Sequence, residues 1–284
     1  MITSCLTYSL IITVFAPLVW STALWSPSKT NIMSQLTTSS LSSMFPYHND
    51  ITKYIHSCTP SNVHLPTSYD IRSQGCGNYI VNQGVCGSCY AWTAATTLTD
   101  MYCFSNQSVP FLSPQTILSC GYTLGCGGGI PYFVFITLES KGIPTLDCVS
   151  YKSGGGRLIK CPKKCDVGGE MKMYKAKANS TCIYTGEEDM KRALVIHGVL
   201  QVTFVVYRDF MDYGTGIYHR TRGIPVGLHS VRLIGYGEED GIPYWTCANS
   251  WGNDWGNEDG FFRILRGVDE CKIESLGAVG AFAT

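Results

Sequence analysis

The segment Gln83-Gly-Val-Cys-Gly-Ser-Cys-Tyr90 opens a stretch of helical pattern and puts Cys89 at the helix start. Unpaired N–H groups and the helix dipole at such a terminus favour negative charge, so a thiol held there loses its proton more readily. The resulting thiolate is a nucleophile whose chemistry depends on the groups that converge on it. Two later motifs supply candidates: Gly227-Leu-His-Ser-Val-Arg-Leu-Ile-Gly-Tyr-Gly237, which carries His229, and Ala248-Asn-Ser-Trp-Gly-Asn-Asp-Trp-Gly256, which carries Asn249 and Trp251. His229 lies 140 residues after Cys89 and Asn249 lies 160 after it, so only a folded chain can bring the three together. Cys86 and Cys89 also read as Cys-x-x-Cys, the pattern of a thiol–disulfide oxidoreductase, although this segment does not close a strand of a βαβ unit.

Further motifs frame these residues: Leu65-Pro-Thr-Ser-Tyr-Asp-Ile-Arg72, Cys126-Gly-Gly-Gly129, Gly260-Phe-Phe-Arg-Ile-Leu-Arg-Gly267 and Cys271-Lys-Ile-Glu-Ser275. In this order, over residues 65 to 284, the set resembles papain-like cysteine peptidases, and the cathepsin B type most closely. The resemblance implies an α+β, two-lobed fold: a helical N-terminal lobe carrying Cys89, a β-rich C-terminal lobe carrying His229 and Asn249, and an active-site cleft between them. It implies that Cys89 attacks the peptide carbonyl as a thiolate paired with a His229 imidazolium, and that His229 then protonates the leaving amine and later activates water. Asn249 would accept from the second ring nitrogen, shielded by Trp251. Gln83 and the backbone N–H of Cys89 would form the oxyanion hole, and Gly128 and Gly129 the platform for an extended substrate. The same resemblance implies the pairs Cys76–Cys103, Cys86–Cys126, Cys120–Cys161 and Cys148–Cys165, which leaves Cys89 free. It assigns Cys58 to the propeptide and leaves Cys182, Cys247 and Cys271 unassigned. The implied partners are polypeptide substrates, the protein's own propeptide as inhibitor and cystatin-like inhibitors, with a monomer and no metal or organic cofactor. A catalytically inactive, peptide-binding homologue is the alternative, although all four catalytic positions carry competent residues.

Two departures bear on specificity. No histidine occurs between His64 and His197, so the occluding-loop pair that makes cathepsin B a dipeptidyl carboxypeptidase has no counterpart in Cys148 to Cys165, where Ser153-Gly-Gly-Gly156 stands instead. An open primed side and endopeptidase behaviour are expected, with Arg157 or Lys160 the only candidates for a carboxylate partner. Leu276 follows Ile273-Glu-Ser275 where cathepsin B carries a glutamate, and an apolar floor disfavours an unpaired P2 charge. Tyr90 stands where tryptophan is usual, and Leu228 and Ser230 flank His229.

The elements that must position these groups divide the chain. Ala91, Ala94, Ala95, Leu98 and Met101 recur at helical spacing after Cys89; Ser113-Pro114 caps a helix over 114–120; 130–141 and 187–197 read as two more, the last closed by Gly198. Residues 199–206, 231–236, 244–248 and 261–265 are short runs rich in β-branched and aromatic residues and read as strands. His197, at a helix end, reads as a capping or surface residue. The first 23 residues read as a signal peptide, with an apolar run from Leu6 to Trp20 and the small residues Ser21-Thr22-Ala23, although no basic residue precedes the run. Residues 24–64 read as a short propeptide and 65–284 as the peptidase domain. Fourteen cysteines behind a signal sequence point to an oxidising compartment, either secretion or lysosome-like vesicles, and Asn106 and Asn179 sit in glycosylation sequons. Over 65–284, 19 basic against 20 acidic residues give no reason to invoke nucleic acid, and the basic excess from Arg157 to Lys177 reads as a solvated loop.

Overall fold

The computed structural model describes residues 25–27, 58–121 and 123–284. The expected signal peptide and most of the expected propeptide lie outside these residues. Three helices come first: α1 (Cys89–Phe104), α2 (Pro114–Cys120) and α3 (Pro131–Ser140). α2 starts as its sequence dictates, with the Ser113 hydroxyl accepting from the Gln115 N–H and proline at the first turn. α4 (Glu187–His197) follows, closed by Gly198 at φ 82°.

The rest is one twisted sheet. Its strands are β1 (Trp25–Pro27), β2 (Tyr69–Asp70), β3 (Cys182–Tyr184), β4 (Leu200–Tyr207), β5 (Tyr213–Tyr218), β6 (Pro225–Glu239), β7 (Ile242–Ala248), β8 (Phe261–Leu265) and β9 (Ala278–Gly280). They run in the order β1-β5-β8-β7-β6-β4-β9-β3, with β2 added on β6. All neighbours pair antiparallel except β5 and β8. The long central β6 carries His229, and its partners β4 and β7 bury it on both edges.

Two apolar cores result. One gathers α1, α2 and α3 around Tyr90, Ala94, Leu98, Ile117 and Phe135; the other fills the sheet lobe with Phe204, Phe210, Trp245 and Phe262. Cys89 belongs to the sheet core and Tyr90 to the helical one, so the seam between lobes passes through the first turn of α1.

α1 is buried on nearly every face, and three of its four threonines bond there, Thr97 being the exception. Thr96 and Thr99 bond back to the carbonyls of Trp92 and Ala95, at 2.7 and 2.9 Å. Thr93 instead reaches across to β6 and donates to the Ser230 carbonyl at 2.9 Å, beside His229. Further along, Arg232 of β6 pairs with Asp100 of α1 at 2.5 Å, both side chains nearly fully buried, and its guanidinium lies 4.1 Å above the Tyr79 ring. Gln201 of β4 adds a bond from its Nε2 to the Tyr90 carbonyl at 3.1 Å. The helix carrying Cys89 and the strand carrying His229 are thus tied by charge and hydrogen bonds as well as packing.

Five disulfides are formed among the described residues: Cys76–Cys103, Cys86–Cys126, Cys120–Cys161, Cys148–Cys165 and Cys58–Cys182. The last corrects the assignment of Cys58 to the propeptide alone. The Cys58 N–H donates to the Ile183 carbonyl at 3.1 Å, so the chain ahead of Leu65 lies along the edge strand β3, and Cys182 on that strand meets the Cys58 thiol. His197 is a second correction, being only 3% exposed. Its Nδ1 meets the Ala281 carbonyl at 2.8 Å and its Nε2 the Tyr184 hydroxyl at 2.9 Å, because the last turn of α4 packs under the β9–β3 edge. Among the described residues no helix is long and apolar enough to cross a membrane.

Candidate active site

Cys89 is the first residue of α1 and is 6% exposed. The helix is preceded by Ser88, a residue type that ordinarily caps a helix through its hydroxyl, but this side chain makes no cap bond. The Ser88 carbonyl accepts from the Ala91 and Trp92 N–H groups at 3.0 and 2.9 Å, while its hydroxyl claims none of the terminal N–H groups. Backbone groups of Ser230, Tyr90 and Cys89 itself surround Sγ and favour the thiolate, which places the thiol beside the residue following His229.

The His229 imidazole is held from three sides. Trp251 stacks on it, centroids 4.6 Å apart at 25°, and Phe204 from β4 approaches edge-on at 5.9 Å. Its Nε2 lies 2.8 Å from Asn249 Oδ1. The Ser250 N–H also donates to that Oδ1, at 2.8 Å. An atom accepting from a backbone N–H must be the amide oxygen, so His229 Nε2 must carry a hydrogen. Nδ1 is then the nitrogen that exchanges a proton during chemistry. Asn249 stands one residue past β7, which pairs with β6 through Ala248 and Arg232, and this register delivers the amide to the ring.

Taken singly, both groups resist charging. Burial pushes the Cys89 thiol up to about 11 and the His229 imidazole down to about 4, outweighing the backbone groups on the thiol and the Asn249 bond on the ring. The backbone groups at the helix start lower the thiol, as its position leads one to expect, but burial outweighs them. A proton passed from thiol to imidazole creates both charges together without changing the net charge, which is the form a buried site tolerates.

Gln83 is fully buried. Its backbone N–H donates to the Ser250 carbonyl at 2.8 Å and its Oε1 accepts from the Ser250 hydroxyl at 2.7 Å. Its Nε2 donates to the Cys86 carbonyl at 2.9 Å, and an amide nitrogen has a second hydrogen to offer. Gly84 beside it has φ 64°, and a Cβ there would sit 2.2 Å from the Gly154 carbonyl oxygen, so only glycine allows this approach. Gly129 is fixed by the same logic: a Cβ would overlap the Tyr90 ring at 2.5 Å. The tyrosine in place of tryptophan thus supports the glycine pair Gly128-Gly129 from below, and its hydroxyl donates to the Gly125 carbonyl at 3.0 Å.

Leu276 is a 39% exposed apolar side chain between the turn at Glu270–Lys272 and β9. Arg157 and Lys160 are exposed. Cys86 is bonded to Cys126 while Cys89 is free, which removes the dithiol an oxidoreductase would need. The hydroxyls of Ser88, Tyr151 and Ser250, which join these pieces, carry no signal of their own in the sequence.

A family profile described as papain family cysteine protease matches residues 65–281. The chain belongs to that family. It is 40% identical over 226 residues to cathepsin B-like CP2 of Giardia intestinalis, covering 77% of this chain and 75% of the relative. It is 37% identical over 254 residues to cathepsin B-like cysteine proteinase 6 of Caenorhabditis elegans, covering 76% and 66%. Its fold is similar to that of proCathepsin B S9 from Trypanosoma congolense, with a TM-score of 0.84 and 28% identity over 92% of this chain and 94% of that one. This cathepsin B-like peptidase therefore has the α+β papain-like fold, with a helical N-terminal lobe and a β-rich C-terminal lobe.

Proposed function

We propose that the protein is a cysteine endopeptidase in which Cys89 is the nucleophile, His229 the acid and base, Asn249 the residue that orients His229, and Gln83 with the Cys89 N–H the oxyanion hole. The observation that carries the reading is the His229 Nε2–Asn249 Oδ1 bond of 2.8 Å beneath Trp251, on a strand tied to the helix that Cys89 begins. Proton transfer from Cys89 to His229 Nδ1 accompanies attack on the carbonyl carbon. The oxyanion takes hydrogen bonds from the spare Gln83 amide hydrogen and the helix N-terminus. His229 then gives its proton to the leaving amine, and a thioester remains on Cys89. Water, losing a proton to His229, attacks the thioester and restores the thiol.

Gly128 and Gly129 would hold substrate in extended form, and Leu276 would favour Leu, Val or Phe over Arg at P2. The segment from Cys148 to Cys165, bridged across 17 residues and free of histidine, offers no carboxylate-binding pair to cap the primed side. The protein would be made with a signal peptide (1–23) and an inhibitory propeptide (24–64), and work on polypeptides outside the cell or in lysosome-like vesicles.

The test is cleavage of internally quenched peptides with free and amidated C-termini by activated protein, beside Cys89→Ala. Internal cleavage that ignores the C-terminus and vanishes in the variant is the expected result. Stepwise release of C-terminal dipeptides from free ends alone would overturn the endopeptidase reading, and no turnover by either protein would mark a binding-only homologue.

A further inference from the structure

We infer that Tyr151 is a positioning residue of the oxyanion hole, setting the Gln83 and Cys89 donors from the shortened loop that replaces a cap. Resting on the peptidase reading, it adds a side chain from outside the catalytic motifs.

The Tyr151 hydroxyl donates to the Gln83 carbonyl at 2.7 Å and lies 2.7 Å from the Ser88 hydroxyl. A phenol has one hydrogen, so with that hydrogen on Gln83 the second bond runs from Ser88 to Tyr151. A single oxygen thereby joins the residue before Cys89 to the residue whose amide faces the oxyanion. This also explains why Ser88 leaves the α1 N-terminus uncapped: its hydroxyl is turned to Tyr151. Burial pushes the Tyr151 phenol above its usual range, so it remains a protonated donor through neutral pH.

Tyr151, partly buried, is itself held in place by its neighbours. Its ring meets Trp92 of α1 edge-on at 4.9 Å. The next residues are clamped by the buried Gln115 amide, which accepts from the Lys152 N–H at 2.8 Å and donates to the Ser153 hydroxyl at 3.0 Å. Gly154, against the Tyr151 ring, accepts from the Val85 N–H at 2.9 Å, so the loop grips both ends of the Gln83–Val85 turn. Disulfides Cys148–Cys165 and Cys120–Cys161 fasten this loop to α2 and to itself. Movement of the Tyr151 oxygen would displace Gln83 and Ser88 together, and small misplacements of such donors are costly in rate.

The test is a double-mutant cycle on kcat with Tyr151→Phe and Gln83→Ala, alongside the rate at which iodoacetamide alkylates Cys89. Tyr151→Phe is expected to lower kcat about tenfold, the worth of one hydrogen bond, with KM little changed and alkylation at the wild-type rate. Gln83→Ala is expected to cost about 100-fold or more, and adding Tyr151→Phe to it to lower kcat by only about threefold, since one of the two positioned donors is gone and the Cys89 N–H alone remains. The same tenfold loss in both backgrounds, or alkylation slowed in step with kcat, would overturn the inference while leaving the peptidase intact. A wild-type protein without turnover would overturn the peptidase reading and this one with it.

Discussion

The Cys58–Cys182 bond joins the chain ahead of the expected domain start to the sheet edge, and removing it should be costly. The perturbation is Cys58→Ala with Cys182→Ala, made in a Cys89→Ala background to prevent self-digestion. The two cysteines are 124 residues apart in sequence, and a bare loop of that length would contribute about 5 kcal/mol of chain entropy. The other bridges shorten the path: Cys58 to Cys86, back from Cys126 to Cys120, then Cys161 to Cys182, roughly 55 residues in all, lowers the figure to about 4 kcal/mol. For a domain of this size that is a fall of roughly 10 °C in Tm, read by calorimetry or denaturant titration. A processing consequence accompanies it. Cleavage just before Leu65 would leave a peptide ending at His64 attached through Cys58, so the intact mass of the mature enzyme should drop by that peptide on reduction. A loss under about 1 kcal/mol, or peptide mapping that finds both thiols free, would refute the reasoning.

Other outcomes follow from the same contacts. Asp100→Ala should cost about 3–5 kcal/mol in a urea titration, because it strands Arg232 with its charge buried; a loss below about 1 kcal/mol would mean that the pair is not desolvated in solution. His197 is buried neutral, with burial lowering it from 6.5 to about 4. The unfolded chain therefore takes up this proton first as pH falls, so the stability is whole above about 6.5 and drains by up to about 3 kcal/mol on the way to pH 4. His229 acts with the same sign, and a His197→Gln variant should show a shallower acid slope in denaturant midpoint against pH; an unchanged slope would contradict the assignment. Leu276→Glu should raise kcat/KM for Arg at P2 relative to Leu about tenfold, the worth of one modest charge interaction, and no change in that ratio would remove Leu276 from the P2 pocket.

Much of this was legible before folding. The helix after Cys89 announces itself by apolar spacing, the one after Ser113 by its serine cap and first-turn proline, and the one from Glu187 by spacing closed at Gly198. The sheet was legible only in part. β6 runs from Pro225 to Glu239, yet its strand pattern reads only over 231–236, because His229 and Ser230 occupy buried positions that a periodicity rule reserves for apolar residues and Gly227 interrupts the run before them. β5 carries two glycines, and β3 and β9 span three residues each, too little for a period to show. The Cys58–Cys182 pair joins residues too far apart for spacing to match them, and His197 was misread because its burial depends on β3 and β9 closing over it. The candidate site divides in the same way. Cys89, His229, Asn249 and Gln83 sit in motifs, whereas Ser88, Tyr151 and Ser250 act through single hydroxyls whose partners are 63, 68 and 167 residues away.

The central claim is that one thiol, Cys89, performs the hydrolysis. Its most direct test is titration of the activated protein with a peptide epoxide, following residual activity and the site of attachment together. The account predicts loss of all activity at about one equivalent of inhibitor per active protein, with the added mass on the peptide containing Cys89 and none on Cys247 or Cys271, whose thiols burial raises far above the usual range. Activity that survives full modification of Cys89, or inactivation that tracks another residue, would contradict it.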